Sequence, residues 1–362
     1  MKKLFLTLML AVMGFTAAMA DDATTLVATL NHGGELTAYY GKGAFVDAYK
    51  AASNGDVITL SAGTFTATNI VKEITVRGAG MLPEANTNNG MTVIDGDFKI
   101  TLPVGTSQTK FEGLKLPSTI TLSSNGGDGT KSQISFSKVS LTGRINADAK
   151  VFPQFNNCEI GFLNVYGCLC QNCYVYSTYA YKGGAESNTF QNCTLMMRHD
   201  GWYAYHTFQN STLLNCLLIQ NIDHETKLDS EVKAEYCVGF AAGYDPSYDF
   251  FSNIGSTSNK MVIDRETFFK ESSFLKKSAE NDYGQFSYEI SGNNITPDNH
   301  GLFELSDEAA AQYTGNDGTV VGVWGGAHPF NLRPVGPWIN KCEIVPRVGD
   351  DGKLSVTIEV AQ

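Results

Sequence analysis

The sequence predicts an all-β fold, a single-stranded right-handed parallel β-helix with an N-terminal capping helix and a short C-terminal strand tail. Two observations carry that prediction. A short phrase recurs at coil-length spacing, as FNNCEI from Phe155, CQNCYV from Cys170, FQNCTL from Phe190 and LLNCLL from Leu213. Looser copies begin at Phe111, Phe136 and Ala234, so that successive anchors are 25, 19, 15, 20, 23 and 21 residues apart. Self-similarity at a period near twenty residues is a solenoid's signature, because no unit buries its apolar face alone. The second observation is a series of short β-branched runs bounded by glycine or asparagine: VITLSAGTF from Val57, IVKEITVRG from Ile70 and MTVIDGDFKI from Met91.

Each part of the phrase has a physical role. The apolar anchor, the fourth position and the sixth point inward, and the asparagine at the third position sits at a bend between two strands. Asparagine tolerates the left-handed backbone of such a bend and can hydrogen-bond to the next coil. No six-residue period appears, which argues against a left-handed β-helix. The 15-residue step is short for a three-strand coil and puts the register at Cys170 in question.

Eight cysteines in an exported chain suggest disulfides. The repeat argues for thiols instead. Cys158, Cys173, Cys193 and Cys216 occupy one position on successive coils, about 4.7–4.9 Å apart with parallel side chains, whereas a disulfide needs its Cβ atoms nearer and aimed at each other. Cys168, Cys170 and Cys173 form a C-x-C-x-x-C cluster without a second ligand group to complete a tetrahedral metal site.

Export is read from the first twenty residues. Lys2 and Lys3 precede an apolar run from Leu4 to Phe15, and Ala18-Met19-Ala20 ends in a small-residue cleavage site before Asp21. The run is shorter than the roughly 20 residues a membrane span needs. These features divide the chain into a signal peptide over 1–20, a β-helix with its cap over 21–330 and a β-hairpin tail over 331–362. The predicted location is secreted, periplasmic or at the cell surface. A formal charge of -11, growing more negative when the two lysines are removed, argues against nucleic acid, because no basic stripe is available to neutralise phosphates.

At the N-terminal end, Phe45, Ala48 and Ala52 share one helical face just before Asn54-Gly55-Asp56, a plug for the first coil. The run AFVDAYKAASNGDVITLSAGTF from Ala44, followed by KEITVRGAG and TVIDG, resembles the opening of right-handed parallel β-helix proteins of the pectin-lyase-like superfamily. The stretch DGTVVGVWGG from Asp317 looks like the closing coil of bacterial secreted members. This resemblance covers most of 44–330. It implies the fold and a polysaccharide or cell-surface glycan as partner. The Asp pairs, Gly-His-Gly and Arg-Ile-Lys of polygalacturonases have no counterpart in this sequence, nor has the R-x-P-x-x-R arrangement of pectate lyases. Asn221-Ile222-Asp223-His224 resembles the lyase W-I-D-H motif without its tryptophan.

Loops that enter a regular rod at fixed places are where function normally sits. Measured eight to ten residues beyond each anchor, Arg144, Leu163 to Val165, Thr178 to Ala180, Arg198-His199-Asp200 and Asn221 to Asp223 fall on neighbouring coils. Arg198, His199, Asp200, Asp223 and His224, with Glu225, form the densest titratable group and the candidate catalytic set. A lyase would use one of them as base and a cation or arginine against the uronate carboxylate, with calcium as the cation. A glycoside hydrolase would pair Asp200 with Asp223. Outward charges on a solvated face are the structural alternative. Tyr179, Tyr181, Trp202, Tyr203 and Tyr205 lie on consecutive coils, where exposed rings would stack sugar rings. The sequence therefore favours glycan binding in an aromatic and charged groove, with no cofactor. A polysaccharide lyase or hydrolase at 198–225 is the alternative, and a structural or adhesive rod the third.

Overall fold

The computed structural model describes residues 26–82, 90–105, 108–125, 131–176, 178–180, 187–197, 208–220, 228, 230–241, 249–263, 304–332, 338–344 and 356–361, the last two ranges and a few strand ends as backbone only. Parallel strands stack coil on coil into a β-solenoid of about seven turns. Three sheets run along it. The first holds the anchors: Val76, Phe111, Phe136, Phe155, Cys170, Phe190, Leu213 and Ala234 pair in that order, each in register with the next. Every step of the sequence period is therefore a coil, the 15-residue one included. That coil is short because one strand, Glu159–Val165, serves both the second sheet and the third, and only residues 166–168 lead back to Leu169–Gln171.

The bend between the first and second sheets is left-handed in seven consecutive coils. Gly113 (φ 64), Lys138 (54), Asn157 (52), Asn172 (51), Asn192 (49), Asn215 (54) and Tyr236 (53) occupy the position two residues after each anchor. A non-glycine residue there costs about 1–2 kcal/mol, and asparagine bears it best. Inside the bend the anchors pack ring on ring, Phe111 on Phe136 at 5.6 Å and Phe136 on Phe155 at 5.2 Å between centroids.

Beside the rings runs a column of thiols. Cys158, Cys173, Cys193, Cys216 and Cys237 stand at the fourth position, and with Cys168 and Cys170 all seven are buried and free. The column is hydrogen-bonded to backbone: Cys158 Sγ donates to Phe136 O and Cys216 Sγ to Phe190 O, each at 3.3 Å. Burial pushes the thiols of Cys170, Cys173, Cys193 and Cys237 well above their ordinary range. At Cys216 burial acts the same way, but hydrogen bonds from Cys193 and Cys237 draw it down. The four raised thiols keep their protons in the folded chain and lose them in the unfolded one from about pH 8.5 upward. Stability should therefore fall as pH rises through that range. Ellman's reagent at pH 8 should leave all seven described thiols unmodified until denaturant is added, and a fast reaction at any of them in the folded protein would contradict the closed column.

The N-terminal end is capped as the sequence predicts. Helix Ala44–Ala51 buries Ala44, Phe45, Ala48 and Tyr49. Lys72 Nζ donates to the carbonyls of Tyr49, Lys50 and Ala52, neutralising the helix C-terminus. Strand β1 (Val27–His32) pairs antiparallel with β2 (Glu35–Tyr40) on one side and with the first coil on the other. His32 is largely exposed but holds the buried Asp56 through Nδ1 at 2.9 Å. Arg77 lies in strand Thr75–Arg77 and pairs with Glu112 at 2.6 Å.

The C-terminal stretch corrects the closing-coil reading. Residues 304–332 form a strap that runs back along the outside of the second sheet, against the order of the coils. Helix Asp307–Gln312, capped by the Ser306 side chain, begins it. The bend asparagines then hold it coil by coil. Asn215 exchanges two 3.0 Å bonds with Asn316, Asn192 donates to Asp317, Asn172 donates to Val323 O (3.0 Å) and Gly325 O (2.7 Å), and Asn157 donates to His328 O and accepts from Asn331 N. Lys138, on the coil before, reaches Asn331 Oδ1 at 2.7 Å. The asparagine side chains thus bond to the strap rather than to the next coil.

Under the strap lies a second apolar core. Tyr174, Tyr176, Leu217, Ile219, Val238 and Phe240 point outward from the second sheet and meet Leu305, Ala309, Val321, Val323 and Phe330. Burial raises both tyrosine hydroxyls well above their usual range, with the negative charge of Glu304 acting on Tyr174 and that of Glu159 on both. Partial burial works to raise the Asp317 carboxyl, but bonds from the Thr319 N–H and hydroxyl and from Asn192 outweigh it and hold the group below its ordinary value. Beyond the strap, Trp338–Ile344 and Val356–Ala361 pair antiparallel as a separate two-stranded sheet.

Candidate functional site

While the strap covers the outer side of the second sheet, the third presents outward residues that range from half-buried (Asn146, Asn164) to exposed (Lys99, Thr121). It is built from Phe98–Leu102, Ile120–Ser124, the end of Ser132–Ala147, the end of Glu159–Val165 and Thr178–Ala180. Strand alternation sends Phe98, Ile120, Ile145 and Leu163 into the core. The next residue along each strand, Lys99, Thr121, Asn146 and Asn164, points outward; Lys99 pairs with Thr121, Thr121 with Asn146, Asn146 with Asn164, and Asn164 with the backbone position of Tyr179. Five consecutive hydrogen-bonding residue types lie in register over about 19 Å at the usual strand spacing.

Two contacts organise this row. Asn164 Nδ2 donates to Asn146 Oδ1 at 2.8 Å, and among the described residues the buried Asn164 Oδ1 has no partner. Two residues earlier in the strands, the Arg144 guanidinium lies 4.4 Å from the centre of the Phe162 ring. A β-bulge between Leu141 and Arg144 sets this up, bringing Arg144 opposite Phe162 rather than opposite Leu163 as the spacing implies. Asp148 sits nearby, but its oxygens accept from the backbone N–H groups of Ser124 and Lys150. The face therefore offers amide, hydroxyl and cationic donors beside an aromatic ring, a set suited to a polyhydroxylated ligand.

Most of the sequence-predicted site residues fall outside the described residues: Arg198, His199, Asp200, Asp223, His224, Tyr181, Trp202, Tyr203 and Tyr205. Tyr179 is placed by its backbone alone, at the end of the outward row. What the structure does show is where the two titratable stretches leave the solenoid. Met197 and Gln220, the last described residues before them, pair with each other in the second sheet, and Gln220 pairs with Ala241. The two chains thus depart side by side from adjacent coils. Lys99, Thr121, Asn146 and Phe162 escaped the sequence reading because none belongs to the repeated phrase, and Asn164, within the measured stretch Leu163 to Val165, was not singled out. The alternation in FLNV from Phe162 was the available signal.

Among the described residues, no three His, Cys, Asp or Glu side chains converge as they would around a metal ion, and no helix is long and apolar enough to cross a membrane. Compared with known protein families, curated proteins and solved structures, the chain matches none.

Proposed function

We propose that this is an exported β-helix protein that binds a polysaccharide or cell-surface glycan along its third face. The observation that carries the reading is the in-register row from Lys99 to Tyr179, flanked by the Arg144–Phe162 stack on a face that the strap leaves open. A ladder of side chains repeating at each coil suits a ligand that itself repeats. The aromatic loops carrying Tyr181, Trp202, Tyr203 and Tyr205 extend this surface in the proposal, and neither metal nor cofactor enters it. The resemblance of 44–330 to the pectin-lyase-like superfamily supports the same class of partner.

Binding of the chain from Asp21 onward to a panel of glycans tests the reading. A bound glycan should lose about tenfold in affinity on Asn164→Ala and on Phe162→Ala, the worth of about one hydrogen bond or one ring contact each. Trp202→Ala or Tyr203→Ala should weaken it further. Binding that survives Asn164→Ala/Phe162→Ala, or no binding to any glycan, would overturn the assignment. Release of unsaturated or reducing ends that stops on His199→Ala or Asp223→Ala would instead make the protein a lyase or hydrolase.

A further inference from the structure

We propose that β2 is the contact through which two copies of this chain associate end to end, N-terminal cap against N-terminal cap. β2 pairs with β1 on one side, and among the described residues no strand pairs with its other side. Its backbone therefore presents an unused row of N–H and C=O groups, a template for another strand. Edge strands in monomers are normally guarded by lysine, proline, a bulge or an inward charge. ELTAYY has none of these: its single charge, Glu35, stands at one end, and its pairing with β1 runs without a register shift. Five of the six residues are exposed, with Tyr40 at 71% and Leu36 at 40%.

A second copy suits this edge better than an unrelated strand for two reasons. First, β2 is complementary to itself. Across a twofold axis perpendicular to the sheet at Ala38, Ala38 of one copy faces Ala38 of the other, Thr37 faces Tyr39, and Leu36 faces Tyr40. No like charges are opposed, and two aliphatic–aromatic pairs, Leu36 with Tyr40, form on one face to either side of Ala38. Second, repulsion between two caps is small. Residues 26–56 carry three acids (Glu35, Asp47, Asp56) and two bases (Lys42, Lys50), a formal charge of -1, against -11 for the whole chain. The joined β2 strands would continue the first sheet from one solenoid into the other through β1, giving a rod of twice the length.

A six-residue strand pair is a small contact, so the dimer should be reversible. Sedimentation of the chain from Asp21 onward between about 5 and 200 µM should show monomer passing to dimer, and small-angle scattering of the dimer should show about double the monomer's length. Leu36→Lys/Tyr40→Lys, at exposed positions, should raise the dissociation constant on the order of 100-fold by setting charge into the pair, without moving the thermal melt. Ala38→Pro, which removes a donor from β2, provides an independent variant with the same expected loss. A monomer throughout that range, a dimer indifferent to both variants, or a dimer no longer than the monomer would each overturn the proposal.

Discussion

Asn172→Ala should cost about 2–5 kcal/mol of stability, rising to about 8 kcal/mol where water stays out, far more than removing an ordinary surface amide. The estimate has three parts. Alanine at φ 51 carries the left-handed penalty of about 1–2 kcal/mol. The two bonds to the strap disappear, at about 0.5–1.5 kcal/mol net each. Of the two acceptors, Val323 O keeps its bond from the Phe330 N–H, and Gly325 O is left with no other backbone donor among the described residues, adding about 1–3 kcal/mol if water stays out. Asn172→Gly separates these contributions, because glycine adopts the bend freely and loses only the strap bonds. Glycine should therefore recover about 1–2 kcal/mol relative to alanine in urea unfolding. Proteolysis within 304–332 should accelerate in both variants. Equal unfolding midpoints for alanine and glycine would show that the bend exerts no strain, and unchanged proteolysis would show that the amide does not hold the strap.

The same pair of roles explains how far this fold could be read without coordinates. A repeated asparagine announces a repeated left-handed bend, since a local backbone demand leaves a local residue preference. The anchors and the period follow for the same reason, and they align coil for coil, from Phe111 to Ala234. The reason for asparagine at four bends, with Gly113 at an earlier one and Tyr236 at a later one, lies instead in partners 101 to 174 residues away. No periodicity connects Asn157 to Asn331. DGTVVGVWGG resembles a closing coil, but left-handed Gly318, Gly322 and Gly326 turn it into a strap. At the open face, Asn146, Asn164 and Phe162 occupy outward positions on which folding places no demand, so composition alone did not mark them.

The anchors divide into a stacked part and an unstacked part, and that division predicts unequal costs for the same truncation. Phe136 lies between two rings, with Phe111 stacked on one side and Phe155 on the other. Phe155 has Phe136 on one side only, because the next anchor is Cys170, where Cys168 and Cys170, their sulfurs 3.9 Å apart, take the place of a ring. Removing either buried phenyl should cost about 3–5 kcal/mol in transfer and cavity energy. Phe136→Ala should exceed Phe155→Ala by about 0.5–1.5 kcal/mol, the worth of one more aromatic pair. In a solenoid each coil contacts only its neighbours, so the loss at Phe136 should be felt on both sides and broaden the urea transition or split it in two. Urea unfolding followed both by tyrosine and tryptophan fluorescence and by far-UV circular dichroism would show this as midpoints that no longer coincide. Equal costs at the two positions would mean that burial alone, with no stacking contribution, holds the anchor column together.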